Sequence, residues 1–146
     1  MKRITIIICA VLFAACGSRP LLILKTYDDL AAAYKAAHDT KDISRIGELI
    51  YWGSMTKKDQ SGMLENIEHN TFMYKTVAET NITDAEKDIV LENEVHRYPF
   101  APEKNLEIVF TPLGNKGVDV VRSTNYYLGM KDGRPYILLM SEPVKK

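Results

Sequence analysis

The sequence predicts an α+β domain, with N-terminal helices packed on a curved antiparallel sheet of about five strands. Three features predict it. Apolar residues recur at helical spacing between positions 27 and 69. From position 71 onward the period shifts towards two. Asp132-Gly133 then supplies a two-residue hairpin turn, because both positions favour positive φ. The chain has 146 residues, which without a short leader is about one domain. A domain of that size buries roughly two-thirds of its unfolded surface and needs no metal or disulfide staple.

The first helix begins at Thr26-Tyr27-Asp28-Asp29, where a capping Thr stands three residues before an acid. Tyr27, Leu30, Tyr34 and Ala37 share one face of it, up to His38. A second helix spans about 42–50, with Ile43, Ile46, Leu49 and Ile50 as its stripe. A third starts at Thr56-Lys57-Lys58-Asp59, and Met63, Leu64 and Ile67 form its stripe. Tyr51-Trp52-Gly53-Ser54 is the bend between the last two.

Strands are expected near 71–80, 88–98, 105–112, 117–129 and 134–141. Asn115 and Gly117 punctuate one hairpin. The apolar phase slips between Val120 and Val121, as a bulge would make it. The last strand is apolar on both faces, with Tyr136, Leu138 and Met140 on one and Ile137 and Leu139 on the other. Its second face therefore needs a cover, from a curled sheet or from a second copy of the chain.

Residues 1–16 have a different logic. Lys2 and Arg3 precede an apolar run from Ile4 to Phe13, and Ala14-Ala15-Cys16 supply small residues before a cleavage point. The run is far short of the ~20 residues that span a bilayer. Phe13-Ala14-Ala15-Cys16 resembles the lipobox of bacterial lipoproteins, departing from it at Phe13, where the family favours Leu. The resemblance implies a signal peptide over 1–15 and a lipid-modified Cys16 as the new N-terminus. It further implies a cell-envelope location, with Gly17 favouring the outer membrane facing the periplasm in a two-membrane bacterium. Residues 16–26 then form the lipidated cysteine and tether, and 27–146 the single domain. Cys9 is lost with the leader, so Cys16 is the one remaining thiol and no internal disulfide can form. Leu21-Leu22-Ile23-Leu24 is apolar for a tether. It packs on the domain as a first strand or lies at the lipid interface, and packing is favoured.

Over roughly 27–141 the layout resembles the nuclear-transport-factor-2-like (SnoaL-like) cone fold. The Tyr27–His38 helix with Asp39-Thr40-Lys41-Asp42 looks like that family's early helix-turn-helix. Tyr126-Tyr127-Leu128 through Asp132-Gly133-Arg134-Pro135-Tyr136-Ile137 looks like its last hairpin. The family often inserts a helix between its first strands, and none is evident here. Isomerases, dehydratases, binding proteins and inactive subunits all use this fold, so the likeness alone selects no activity.

Charge and motifs exclude several classes. Without Lys2 and Arg3 the chain has seventeen basic and nineteen acidic residues. That is no footprint for nucleic acid. His38, His69 and His96 share neither an i, i+4 nor an i, i+2 pair, so no metal or other cofactor is expected. Gly-x-Ser-x-Gly and Gly-rich phosphate loops do not occur. Glu92, Glu94 and His96 would share one strand face, where a cation or general base could sit, although alternating polar residues more often mark a solvated face. Asp119 with Tyr74, Tyr126 or Tyr127 could furnish an isomerase-like acid and its donors; a solvent-facing strand position is the plainer role for Asp119. Most tyrosines are read as core with a polar tip. Trp52, beside the Gly53 bend, is the best candidate for a pocket mouth or partner contact.

These observations favour a lipid-anchored, non-enzymatic domain that binds an envelope protein or a second copy of itself. The alternative is a cone-fold pocket that binds or converts a small apolar ligand. An enzyme acting on envelope polymers would need paired carboxylates in an open groove.

Overall fold

The computed structural model describes residues 20–72, 76–85, 90–91, 94–112, 122–139 and 142–143. It has the expected α+β architecture, with three helices against an open antiparallel sheet of four strands.

Local chemistry sets the helix ends. Helix α1 (Tyr27–Asp39) opens with a reciprocal capping box. The Asp29 N–H donates to the Thr26 hydroxyl at 3.1 Å, and the Thr26 N–H donates to the Asp29 carboxylate at 2.9 Å. The Lys25 N–H also donates to Asp29, and these local bonds, Lys25's foremost, hold its carboxyl below the usual range. Leu30, Tyr34 and Ala37 are buried and Tyr27 is half-buried, as the helical stripe predicts. Asp42 caps α2 (Ile43–Leu49), which buries Ile46 and Leu49. Helix α3 (Lys57–Phe72) starts at the Thr56–Asp59 pair, whose hydroxyl donates to the carboxylate at 2.6 Å.

The main sheet contains β1 (Thr76–Asp84), β4 (Lys104–Pro112), β5 (Arg122–Lys131) and β6 (Arg134–Leu138), in the order β1-β4-β5-β6. Short strands β2 (Val90–Leu91), β3 (Glu94–Arg97) and β7 (Glu142–Pro143) form a separate ribbon in the order β2-β3-β7. The main sheet thus has one strand fewer than the approximate five expected. The segment read as one strand over 88–98 is an excursion between β1 and β4 that pairs with itself and with β7. The first strand also starts at Thr76 rather than 71, because α3 continues through Phe72. The Asn115 and Gly117 punctuation and the phase slip at Val120-Val121 lie outside the described residues. The β5–β6 turn is as expected: Asp132 and Gly133 have φ of 51° and 74°.

Period two sorts the sheet's faces. Ala78 on β1, Leu106, Ile108 and Phe110 on β4, Leu128 on β5 and Ile137 on β6 are buried with the helix residues in one core. Their register agrees, with Ala78 opposite Phe110, Leu106 opposite Tyr126 and Leu128 opposite Ile137. Helix α1 packs on β1 and β6, α2 packs on β6, and α3 lies against α2.

The chain itself supplies a cover for the second face of the last strands. Phe100 sits over Gly129 and meets Tyr51 edge-on at 4.9 Å. Tyr51 in turn meets Tyr136 at 5.6 Å, and Tyr98 lies 5.1 Å from Tyr127. Leu138, on the same face, is buried. The segment leaving α2 also joins the edge of β6: Ile50 bridges Ile137 in parallel, and the Tyr51 N–H donates to the Ile137 carbonyl at 2.9 Å.

The Leu21–Leu24 segment is a partial correction. It packs on the domain without forming a strand. Leu24 enters the core and Leu22 packs against it, while Leu21 and Ile23 face outward. No helix among the described residues is long and apolar enough to cross a membrane.

Candidate functional site

Helix α3 does not close over the sheet along its whole length. Two hollows lie beside it, and Met63 and Leu139 line both, so the two adjoin there and together are called the α3 groove.

The first hollow, about 440 Å³, lies between the α2–α3 connection and the end of β6. Trp52, Met55, Met63, Leu138 and Leu139 give it an apolar wall, and Asp59 stands at its margin. Its shape follows from local bonds. The Trp52 indole N–H donates to the Gly47 carbonyl at 2.9 Å, which fixes the ring against the end of α2. The Met55 N–H donates to the Trp52 carbonyl at 2.9 Å and closes the turn. The Gln60 amide donates to the Met55 carbonyl at 2.8 Å, tying that turn to α3. Tyr51 also lines the hollow, and its hydroxyl accepts from the Lys131 ammonium at 2.6 Å, which raises the Lys131 pKa.

The second hollow, about 390 Å³, opens between α3 and the helix-facing side of β4 and β5. Ile67 and Phe110 are its apolar parts, and Asn66, Asn70, Arg122 and Thr124 bring polar groups to it. Tyr126 reaches it from β5. Burial raises the Tyr126 pKa, and a hydrogen bond with Tyr34 partly offsets that rise. The two rings lie 6.2 Å apart. At neutral pH the phenol is therefore a neutral hydrogen-bonding group at the groove wall.

Of the residues singled out from the sequence, Trp52 lines the first hollow and Tyr126 the second. Tyr127 is on the opposite face, against Tyr98. Cys16, Tyr74 and Asp119 lie outside the described residues, as does Glu92. His96 and Glu94 belong to β3, but their side chains are not among those described. His38 is buried against Phe110, with its ring 5.6 Å from that of Phe110. No cluster of three His, Cys, Asp or Glu residues with metal-binding geometry occurs among the described residues.

Sequence reasoning read Met63 as part of a core stripe and assigned Leu139 to one face of the last strand. It missed that both residues line two hollows. The signal for Met55 and Met63 was available in residue type, since flexible thioethers suit binding surfaces that must adapt. The groove has no paired carboxylates among the described residues; its polar groups are spread along its margin. That arrangement suits binding an apolar segment with a few orienting hydrogen bonds. No protein family matches the chain, and no curated protein or solved structure matches it.

Proposed function

We propose that this chain is a lipid-anchored, non-enzymatic binding protein of the bacterial cell envelope, whose α3 groove takes an apolar segment of an envelope protein. The groove carries the reading: it is open, walled by Trp52, Met55, Met63 and Leu139, and bordered by polar groups that can orient a guest. The signal-like residues 1–15 and Cys16 supply the anchor in this account, with the outer membrane as its site in a two-membrane bacterium. The helix-then-sheet order and the terminal Asp132-Gly133 hairpin support a cone-like layout of the nuclear-transport-factor-2 type.

The test is site-specific photocrosslinking in cells. A photoreactive residue at Met63, within the groove, should give a discrete adduct with another envelope protein, and one at the exposed Glu65 should not. Equal labelling from both positions, or none from Met63, overturns the reading. An adduct of twice the chain's mass would identify the guest as a second copy.

A second reading is a small apolar ligand with one polar group. It is favoured by Tyr126, whose half-buried neutral phenol lies at the wall of the second hollow. Native mass measurement of the purified protein distinguishes the two, because a retained small ligand adds a fixed mass that Tyr126→Phe should reduce.

A further inference from the structure

Among the described residues, two large apolar side chains stand out as exposed: Leu21 at 89% and Ile23 at 78%. They alternate with Leu22, which packs against the core, and with Leu24, which is 6% exposed and part of it. This is the period-two pattern of an extended segment lying between two apolar environments. The domain provides the inner environment, and the outer one needs an occupant.

We propose that Leu21 and Ile23 insert into the lipid interface and hold the domain directly on the membrane. The inference rests on the lipid anchor at Cys16. Leu21 is five positions after Cys16, and a fully extended chain gains at most about 3.6 Å per residue, so the Leu21 Cα stays within about 18 Å of the Cys16 Cα. The segment cannot swing away, because both of its ends are held. The Arg45 guanidinium donates to the Pro20 carbonyl at 2.8 Å, and Leu24 is locked in the core. Arg45 is itself steadied by Glu48, its guanidinium donating to the carboxylate at 2.6 Å. The short reach from the anchor and the clamped segment keep these two side chains within reach of the bilayer surface. Leu21-Leu22-Ile23-Leu24 is then not a flexible tether. It is a two-sided wedge, with the domain on one side and lipid on the other, and it brings the α2 side of the domain to the membrane.

The experiment uses the mature, membrane-extracted chain, in which lipid blocks the Cys16 thiol and Cys9 has been removed. Ile23→Cys and, as a control, Ser61→Cys on the exposed side of α3 are each labelled with a nitrobenzoxadiazole fluorophore. Both are reconstituted into phosphatidylethanolamine–phosphatidylglycerol vesicles. The label at 23 should be quenched at least threefold more strongly than that at 61 by lipids carrying a nitroxide, and at least threefold more weakly by aqueous iodide. Equal iodide quenching at the two positions overturns the wedge. Shielding of position 23 from both quenchers also overturns it, by assigning that face to a protein. Intact mass separates the two premises: acylated protein with a water-exposed position 23 rejects the wedge and keeps the anchor, whereas unacylated protein rejects both.

Discussion

Gly129 gives a quantitative handle on how the outer sheet face is closed. A Cβ there would lie 2.6 Å from Phe100 Cε2, 2.8 Å from Cδ2 and 3.0 Å from the Ala101 carbonyl oxygen. Carbon atoms in good contact sit about 3.5–4.0 Å apart, so the ring would have to retreat by about 1 Å. It is not free to do so, since Tyr51 meets it edge-on at 4.9 Å and Tyr51 is itself packed on Tyr136. Overpacking of this kind costs about 1–3 kcal/mol. Ala also restricts the unfolded chain relative to Gly, which offsets about 0.4–1 kcal/mol. Taking the middle of each range, Gly129→Ala should therefore destabilise by about 1.3 kcal/mol. With a urea m-value of about 2 kcal/mol/M, the midpoint falls by about 0.65 M at unchanged slope. In a Phe100→Ala background most of that cost should disappear, leaving the smaller strain of the 3.0 Å approach to the Ala101 carbonyl oxygen. Equal effects in both backgrounds, or no effect in the first, would refute the packing of Phe100 over β5.

Other substitutions probe the remaining parts of the fold. Thr26→Ala removes the α1 cap and should cost about 1 kcal/mol in urea unfolding. Leu106→Ala, at a fully buried position opposite Tyr126, should cost about 2–5 kcal/mol and leave m unchanged. Tyr27 makes an alkaline prediction. Its hydroxyl donates to Glu103 at 2.7 Å, and burial, reinforced by the hydrogen bond and charge of Glu103, raises its pKa above the unfolded value of about 10. Its contribution is therefore complete below about pH 10 and is lost as pH rises towards the folded value, since the unfolded chain gives up the proton first. Tyr27→Phe should make the decline of stability above pH 10 shallower, measured by urea midpoints across that limb. Tyr98 and Tyr126, also raised by burial, keep the slope from vanishing.

Features set by neighbouring residues were legible in the sequence. The Thr26–Asp29 and Thr56–Asp59 pairs marked two helix starts, and Asp132-Gly133 marked its hairpin, because each depends on bonds or dihedrals within four residues. The α1 and α2 stripes were legible for the same reason. The fate of 90–97 was not, since its pairing with Glu142–Pro143 depends on residues about forty-five positions away. Thr71 and Phe72 have strand-favouring side chains, yet they continue α3, where the helix already under way overrides local preference. The cover of the last strand was half legible. Its need followed from two apolar faces, but Phe100 and Tyr51 could not be identified from periodicity. Gly129, a glycine inside a strand, was the available hint of a close approach. The groove depends on the stand-off of α3 from β4 and β5, a tertiary distance with no counterpart in spacing; Trp52 was found because Gly53 announces the bend.

The most direct measurement of where this molecule works is the mass of the N-terminal proteolytic fragment from protein extracted out of membranes. The account predicts a fragment that starts at Cys16 and carries the mass of a diacylglyceryl group, with or without a further acyl chain on its amine. A fragment retaining residues upstream of Cys16, or one with an unmodified thiol, would contradict it.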